Sequence, residues 1–191
     1  YDMQQTTIDR EIIDVHTHVF PQKIAARAAD NIVDYYSIPR QGDGSLEGLF
    51  AGAAGFTNLR FVISAAALKP ERAAVGNDYL TDAAASDPRL IPLASFHPDM
   101  GVEAAVAELA RAQARGARGV KLHPDFQRFP LDRPDAVEVY RACAAMGLPV
   151  LFHVGDTRSD CSTPKRMRAV VDQVPELTVI AAHLCGYSVW K

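Results

Sequence analysis

The chain has 191 residues, 48% hydrophobic and 23% charged, which suits one domain with a sizeable core and excludes a mainly disordered polymer. A net charge of -3 and a pI near 6.1 give no global reason to bind nucleic acid or an anionic membrane, so neither partner is expected. Cys143, Cys161 and Cys185 are odd in number, widely spaced and free of a C-x-x-C pattern, which excludes a disulfide framework or zinc knuckle and fits a reducing cytoplasm.

In chain order, the polar stretch Gln4-Gln5-Thr6-Thr7 carries no signal-peptide core, and no later run approaches the ~20 apolar residues of a membrane span. Glu11 to Val15 reads as a strand. Pro21 opens a helix with Ile24, Ala28 and Ile32 on one face, followed by a Gly-rich loop, and Ser45 opens a second short helix. Arg60 to Leu68 suits a strand buried on both faces, and Pro70 to about Ser86 suits a helix. Leu90 to Phe96 is the third strand and ends in His97-Pro98-Asp99; the helix after it presents Val102, Ala105, Val106 and Leu109 and closes at Gly116. Arg118 to Leu122 is the fourth strand, leading into His123-Pro124-Asp125. Asp132 is placed to cap the next helix, which Gly147 ends. Leu148 to Val154 and Leu177 to Ala182 are strands five and six, flanking a helix that starts near Pro164 and stops at Pro175. Short apolar runs alternating with helical segments predict six βα units around a parallel sheet, an α/β fold in one domain over residues 1–191.

Side chains two apart on a strand share a side, so Asp14, His16 and His18 are expected to project together at the carboxyl end of strand one. Two imidazoles can then share a metal, with the acid orienting a ring from behind. Alone, H-x-H is weak and reads equally as surface histidines. His153 and His183 lie at the corresponding ends of strands five and six, however, where a barrel of parallel βα units forms its site.

Asp14-Val15-His16-Thr17-His18, Gly119-Val120-Lys121-Leu122-His123-Pro124, Phe152-His153-Val154-Gly155 and Ala182-His183-Leu184, in this order, resemble the amidohydrolase-related family. The resemblance runs from Ile12 to Gly186 and implies a TIM (β/α)8 barrel. It implies His16, His18 and His153 as metal ligands, with His183 either a ligand or a polariser of water and substrate. It leaves Lys121 two readings, a carboxylated bridge between two metals or, preferred, an uncarboxylated lysine beside one metal. His123 is read as a substrate contact or a turn residue, Asp156 as a ligand or substrate contact or a turn residue, and Cys185 as packing.

The family places a proton-transferring aspartate at the end of strand eight, beyond the six units counted here, so a longer protein is expected. The implied reaction is hydrolysis of an amide, lactone or ester of a small molecule by metal-activated water, with His183 and Lys121 stabilising the oxyanion. One Zn2+ is the default cofactor, with Mn2+, Fe2+ or Co2+ as alternatives. A metal-dependent decarboxylase and a non-catalytic remnant are the rival readings, and a homo-oligomer is left open.

Overall fold

The computed structural model describes residues 11–56 and 58–190; the stretch Gln4–Thr7 lies outside them. Six strands occur in it: β1 (Ile12–His18), β2 (Leu59–Ser64), β3 (Leu90–Pro92), β4 (Val120–Leu122), β5 (Val150–Phe152) and β6 (Val179–Ala181). All pair in parallel, in the orders β1-β2-β3 and β4-β5-β6. A parallel bridge between Ala94 and Val120, supported by Lys121 N–H to Ala94 O at 2.7 Å, joins the two sets. The result is the (β/α)8-barrel plan with six of its units in this chain.

Seven α-helices accompany the strands: α1 (Gln22–Tyr36), α2 (Leu46–Gly52), α3 (Ala73–Ser86), α4 (Val102–Ala114), α5 (Pro124–Gln127), α6 (Pro134–Ala145) and α7 (Pro164–Gln173). Ser45 caps α2 by accepting the Gly48 N–H at 2.9 Å, and Thr163 caps α7 the same way from Arg166. The expected cap of α6 by Asp132 does not form. Arg133 holds the cap position, and the Asp132 carboxylate instead pairs with Arg166 of α7, a charged partner that a backbone N–H does not outcompete.

Strand one runs three residues beyond its expected end and carries both histidines of the H-x-H pair. Its register against β2 shifts between Asp14 and Thr17, an irregularity of the kind that re-aims side chains. Helix α1 differs more. The sequence puts Ile24, Ala28 and Ile32 on one face, yet Ile24 is half exposed while Ala28, Ile32, Tyr35 and Tyr36 face a cavity at the carboxyl ends of the strands. Helix α2 takes the wall position instead, packing Leu46, Leu49 and Phe50 against Val19, Phe61, Ile63 and Leu80.

The larger core lies between β4–β6 and helices α4, α6 and α7, with Leu109, Val120, Leu122, Tyr140, Phe152 and Val170 fully buried. Val120 and Leu122 belong to this outer layer, so Lys121 between them points into the barrel. Among the described residues no helix is long and apolar enough to cross a membrane.

Candidate metal centre

Backbone geometry at the end of β1 aims the first histidine pair. Thr17 is buried and donates to Val62 O at 2.8 Å, while Ser64 donates back to Thr17 O at 2.9 Å. With Thr17 tied to β2, His16 and His18 emerge on the opposite side, and their Nε2 atoms stand 3.2 Å apart. Two imidazole nitrogens at ordinary bond length from one tetrahedral zinc are about 3.3 Å apart, so the pair fits a divalent ion. Burial holds the His16 ring neutral, pushing its pKa down to about 3 with help from Lys121 and His183, and burial drives His18 well down too. The neutral ring is the metal-binding form.

Lys121 is fully buried, and its Nζ lies 2.9 Å from His16 Nε2. Burial brings its pKa down to about 7, which makes the neutral amine accessible and lowers the cost of placing it beside a cation.

His153 and His183 stand across the mouth. His183 Nε2 lies 3.2 Å from His153 Nδ1, and the His183 ring is 5.1 Å from that of His16, so the strand-end histidines predicted from sequence do converge. Burial, then His183, Lys121 and His16, push the pKa of His153 down to about 3. The backbone carrying His183 is unusual: His183, Leu184 and Cys185 have φ of 58°, 52° and 63°, a left-handed run that non-glycine residues rarely adopt. It delivers the segment around Tyr187 to the loop after β5, where Tyr187 N–H bonds Val154 O and Ser188 N–H bonds Gly155 O. Gly155 is required at this crossing. Its φ is 92°, and a Cβ there would meet Gly186 Cα at 2.4 Å.

The remaining contacts bring in residues the motif reading gave no role. Tyr36, from the last turn of α1, places its hydroxyl 2.8 Å from His123 Nε2 and 3.4 Å from His153 Nε2. His123 stacks on His153 at 3.9 Å between centroids, and both lie beside the buried Asp125 carboxylate. Burial raises the Asp125 pKa, opposed by the hydroxyls of Ser159 and Ser162. His123, Asp125 and His153 are a group whose ligand atoms all fall within 4.8 Å. In sequence Asp125 carries only a His-Pro-Asp signal shared with Asp99, and Tyr36 belongs to a helix whose placement over the mouth no periodicity reveals.

Two expected residues have other settings. The Asp14 carboxylate accepts the His16 backbone N–H at 3.1 Å, and Asp14 is exposed, so it contacts the main chain rather than a ring. Asp156 is buried and accepts the Arg158 N–H at 2.9 Å, with the Arg158 guanidinium 3.5 Å away. Arg158 in turn lies over the faces of Tyr35 and Tyr36 at 4.9 and 5.0 Å. Asp156 thus reaches the site through Arg158 and Tyr36. His97 bonds within its own turn and to the next one, accepting the Asp99 N–H and meeting Gln127 O.

His16, His18, His123, His153 and His183 open into one cavity of about 640 Å³, walled by Phe20, Ile32, Tyr35, Tyr36, Leu68 and Phe126. A mostly apolar wall with convergent polar groups is the usual form of a small-molecule site.

Comparison with solved structures gives the same barrel. IDCase from Metarhizium anisopliae, in apo form, superposes with a TM-score of 0.68 at 18% identity over 93% of this chain and 66% of its own. A protein described as a probable 2-pyrone-4,6-dicarboxylic acid hydrolase from Acinetobacter baumannii, with citric acid bound, gives 0.59 at 20% identity over 92% and 59%. The 5-carboxyvanillate decarboxylase from Novosphingobium aromaticivorans, complexed with manganese and a nitrobenzoic acid, gives 0.61 at 16% identity over 93% and 65%. The chain therefore spans about two thirds or less of the length of these three structures. No curated protein matches it. The amidohydrolase family model, by contrast, matches residues 13–190, nearly the whole chain and every strand-end histidine described above, and the chain belongs to the amidohydrolase family.

Proposed function

We propose that this chain carries the metal-binding side of a hydrolase that cleaves an amide, lactone or ester bond of a small molecule. The observation that supports it best is the pair of neutral imidazoles, His16 and His18, with Nε2 atoms 3.2 Å apart in a largely apolar cavity. His16, His18 and His153 would hold the ion, with His183 as a fourth donor or a polarising group. When bound, a divalent ion supplies Lewis-acid polarisation of the scissile carbonyl and lowers the pKa of water toward neutrality. His183, and the buried Lys121 from beside His16, would stabilise negative charge on the carbonyl oxygen, an interaction that burial strengthens. His123 and the Tyr36 hydroxyl form the opposite wall and would orient the substrate. Zinc is the default ion for this donor set, and manganese, iron or cobalt are compatible with it.

A decarboxylase of planar acids is the second reading. The aromatic wall of Phe20, Tyr35, Tyr36 and Phe126 favours a flat ligand, and the 5-carboxyvanillate decarboxylase shares the fold. Release of CO2 from aromatic acids, against hydrolysis of a lactone, ester and amide panel, separates the two.

The test is chelation and rescue. Removing divalent ions should abolish turnover, and added Zn2+ should restore it. In His16→Ala/His18→Ala, restoration should fall short by on the order of 10³-fold or more, given several kcal/mol of ion-derived transition-state stabilisation. Full rescue of that variant would overturn the assignment.

A further inference from the structure

The hydrogen-bond partners of His123 assign its proton to one nitrogen. Nδ1 accepts the Phe126 N–H at 3.3 Å, so it presents a lone pair. An imidazole with a lone pair on Nδ1 carries its one proton on Nε2. That nitrogen lies 2.8 Å from the Tyr36 hydroxyl oxygen and donates to it.

His153 stands in the same relation to Tyr36. Its ring is stacked on His123 at 3.9 Å and within 9° of parallel, and the two Nε2 atoms meet one hydroxyl, that of His153 at 3.4 Å. Nδ1 of His153 faces the other way, 3.2 Å from His183 Nε2, and the His183 ring is 5.1 Å from that of His16. The nitrogen turned toward the histidine cluster is thus Nδ1. If His153 lends Nδ1 to an ion there, its proton sits on Nε2, and a ligand imidazole ordinarily gives that second N–H to an oxygen that fixes the ring. The Tyr36 oxygen is in reach of it.

A hydroxyl accepts two hydrogen bonds and donates one. With His123 on one lone pair, Tyr36 keeps the other for His153, and its own proton is left to the cavity it lines. The phenol ring is held in place for this. Tyr35 and Tyr187 each meet it edge to face at 4.8 Å, and the Arg158 guanidinium lies 5.0 Å over its face.

We propose that Tyr36 is a positioning residue for the ion, its hydroxyl accepting the His153 Nε2–H so that Nδ1 keeps its lone pair toward His183 and His16. This rests on the reading of His16, His18 and His153 as one ion site. It gives helix α1 a part in ion binding although α1 supplies no ligand.

The experiment titrates the full-length chain with Zn2+ in competition with a chromophoric chelator and records long-range 1H–15N spectra of the Zn2+-bound form. Tyr36→Phe, which removes only the hydroxyl, should weaken Zn2+ binding by about 10–100-fold. In the bound wild type His153 should be protonated at Nε2, and that proton should exchange with water more slowly than in Tyr36→Phe. Unchanged Zn2+ affinity in Tyr36→Phe, or His153 protonated at Nδ1 in the bound wild type, would overturn the inference. The second result needs no variant, so it decides even where Tyr36→Phe does not fold. His16→Ala/His18→Ala separates this inference from the reading beneath it. If that variant loses Zn2+ and Tyr36→Phe does not, only the role of Tyr36 fails; if it binds Zn2+ as the wild type does, or the wild type binds none, the ion site itself fails.

Discussion

The same tripeptide, His-Pro-Asp, follows β3 and β4, and the two copies end in opposite chemistry. In both, the histidine sits at a helix N-terminus and accepts a backbone N–H: His97 from Asp99 at 3.2 Å, His123 from Phe126 at 3.3 Å. In both, proline supplies a preset φ at the first helical position. The aspartates then diverge. The Asp99 side chain is 56% exposed and pairs with Arg133, whereas that of Asp125 is fully buried against Ser159 and the His123 and His153 rings. Local sequence makes the turn, and what packs across from it decides whether the carboxylate is a surface ion or part of a site.

Gln127 links the two turns, and its loss is expected to have the largest effect. Its side chain donates to Ala67 O and Phe96 O at 2.9 and 2.7 Å and accepts the His123 N–H at 2.8 Å; its carbonyl meets His97. Gln127→Ala strands three buried backbone groups and should cost about 2–4 kcal/mol in urea unfolding. A cost under ~1 kcal/mol would show that the turns are held independently.

How much of this was legible in sequence follows the same division. Alternating apolar runs gave the six strands, and strand-end placement gave His16, His18, His153 and His183 as neighbours in space, because a parallel barrel brings strand ends together wherever they fall in the chain; Lys121 joined them through the family resemblance. Asp125 was not singled out, since its burial comes from Ser159, 34 residues away. Tyr36 was missed for a related reason. An amphipathic period predicts that α1 buries one face and is silent on whether that face meets the barrel wall or the cavity. Asp132 failed as a cap because Arg166 offered it a charge. Each of these depends on a partner supplied by the fold.

The smallest predicted effect completes the comparison between the aspartates. Arg133 holds the Asp99 carboxyl below the usual range, through a bond of 2.7 Å that both partners leave partly in solvent. A group whose pKa is depressed on folding stabilises the protein above its unfolded value and loses that contribution as pH falls through the folded one. Solvent screening limits an exposed pair of this kind to about 0.2–1 kcal/mol. Asp99→Asn should therefore lower stability by no more than about that amount at neutral pH and at low salt, and the difference should vanish in ~1 M salt. It should also vanish at a pH below the depressed carboxyl pKa, where the wild-type acid is itself neutral. Urea titrations of the two proteins at both pH values and both salt levels measure it. A deficit that persisted in acid would mean that Asp99 acts through the turn's geometry rather than its charge, which would make the two His-Pro-Asp turns more alike than their surroundings imply.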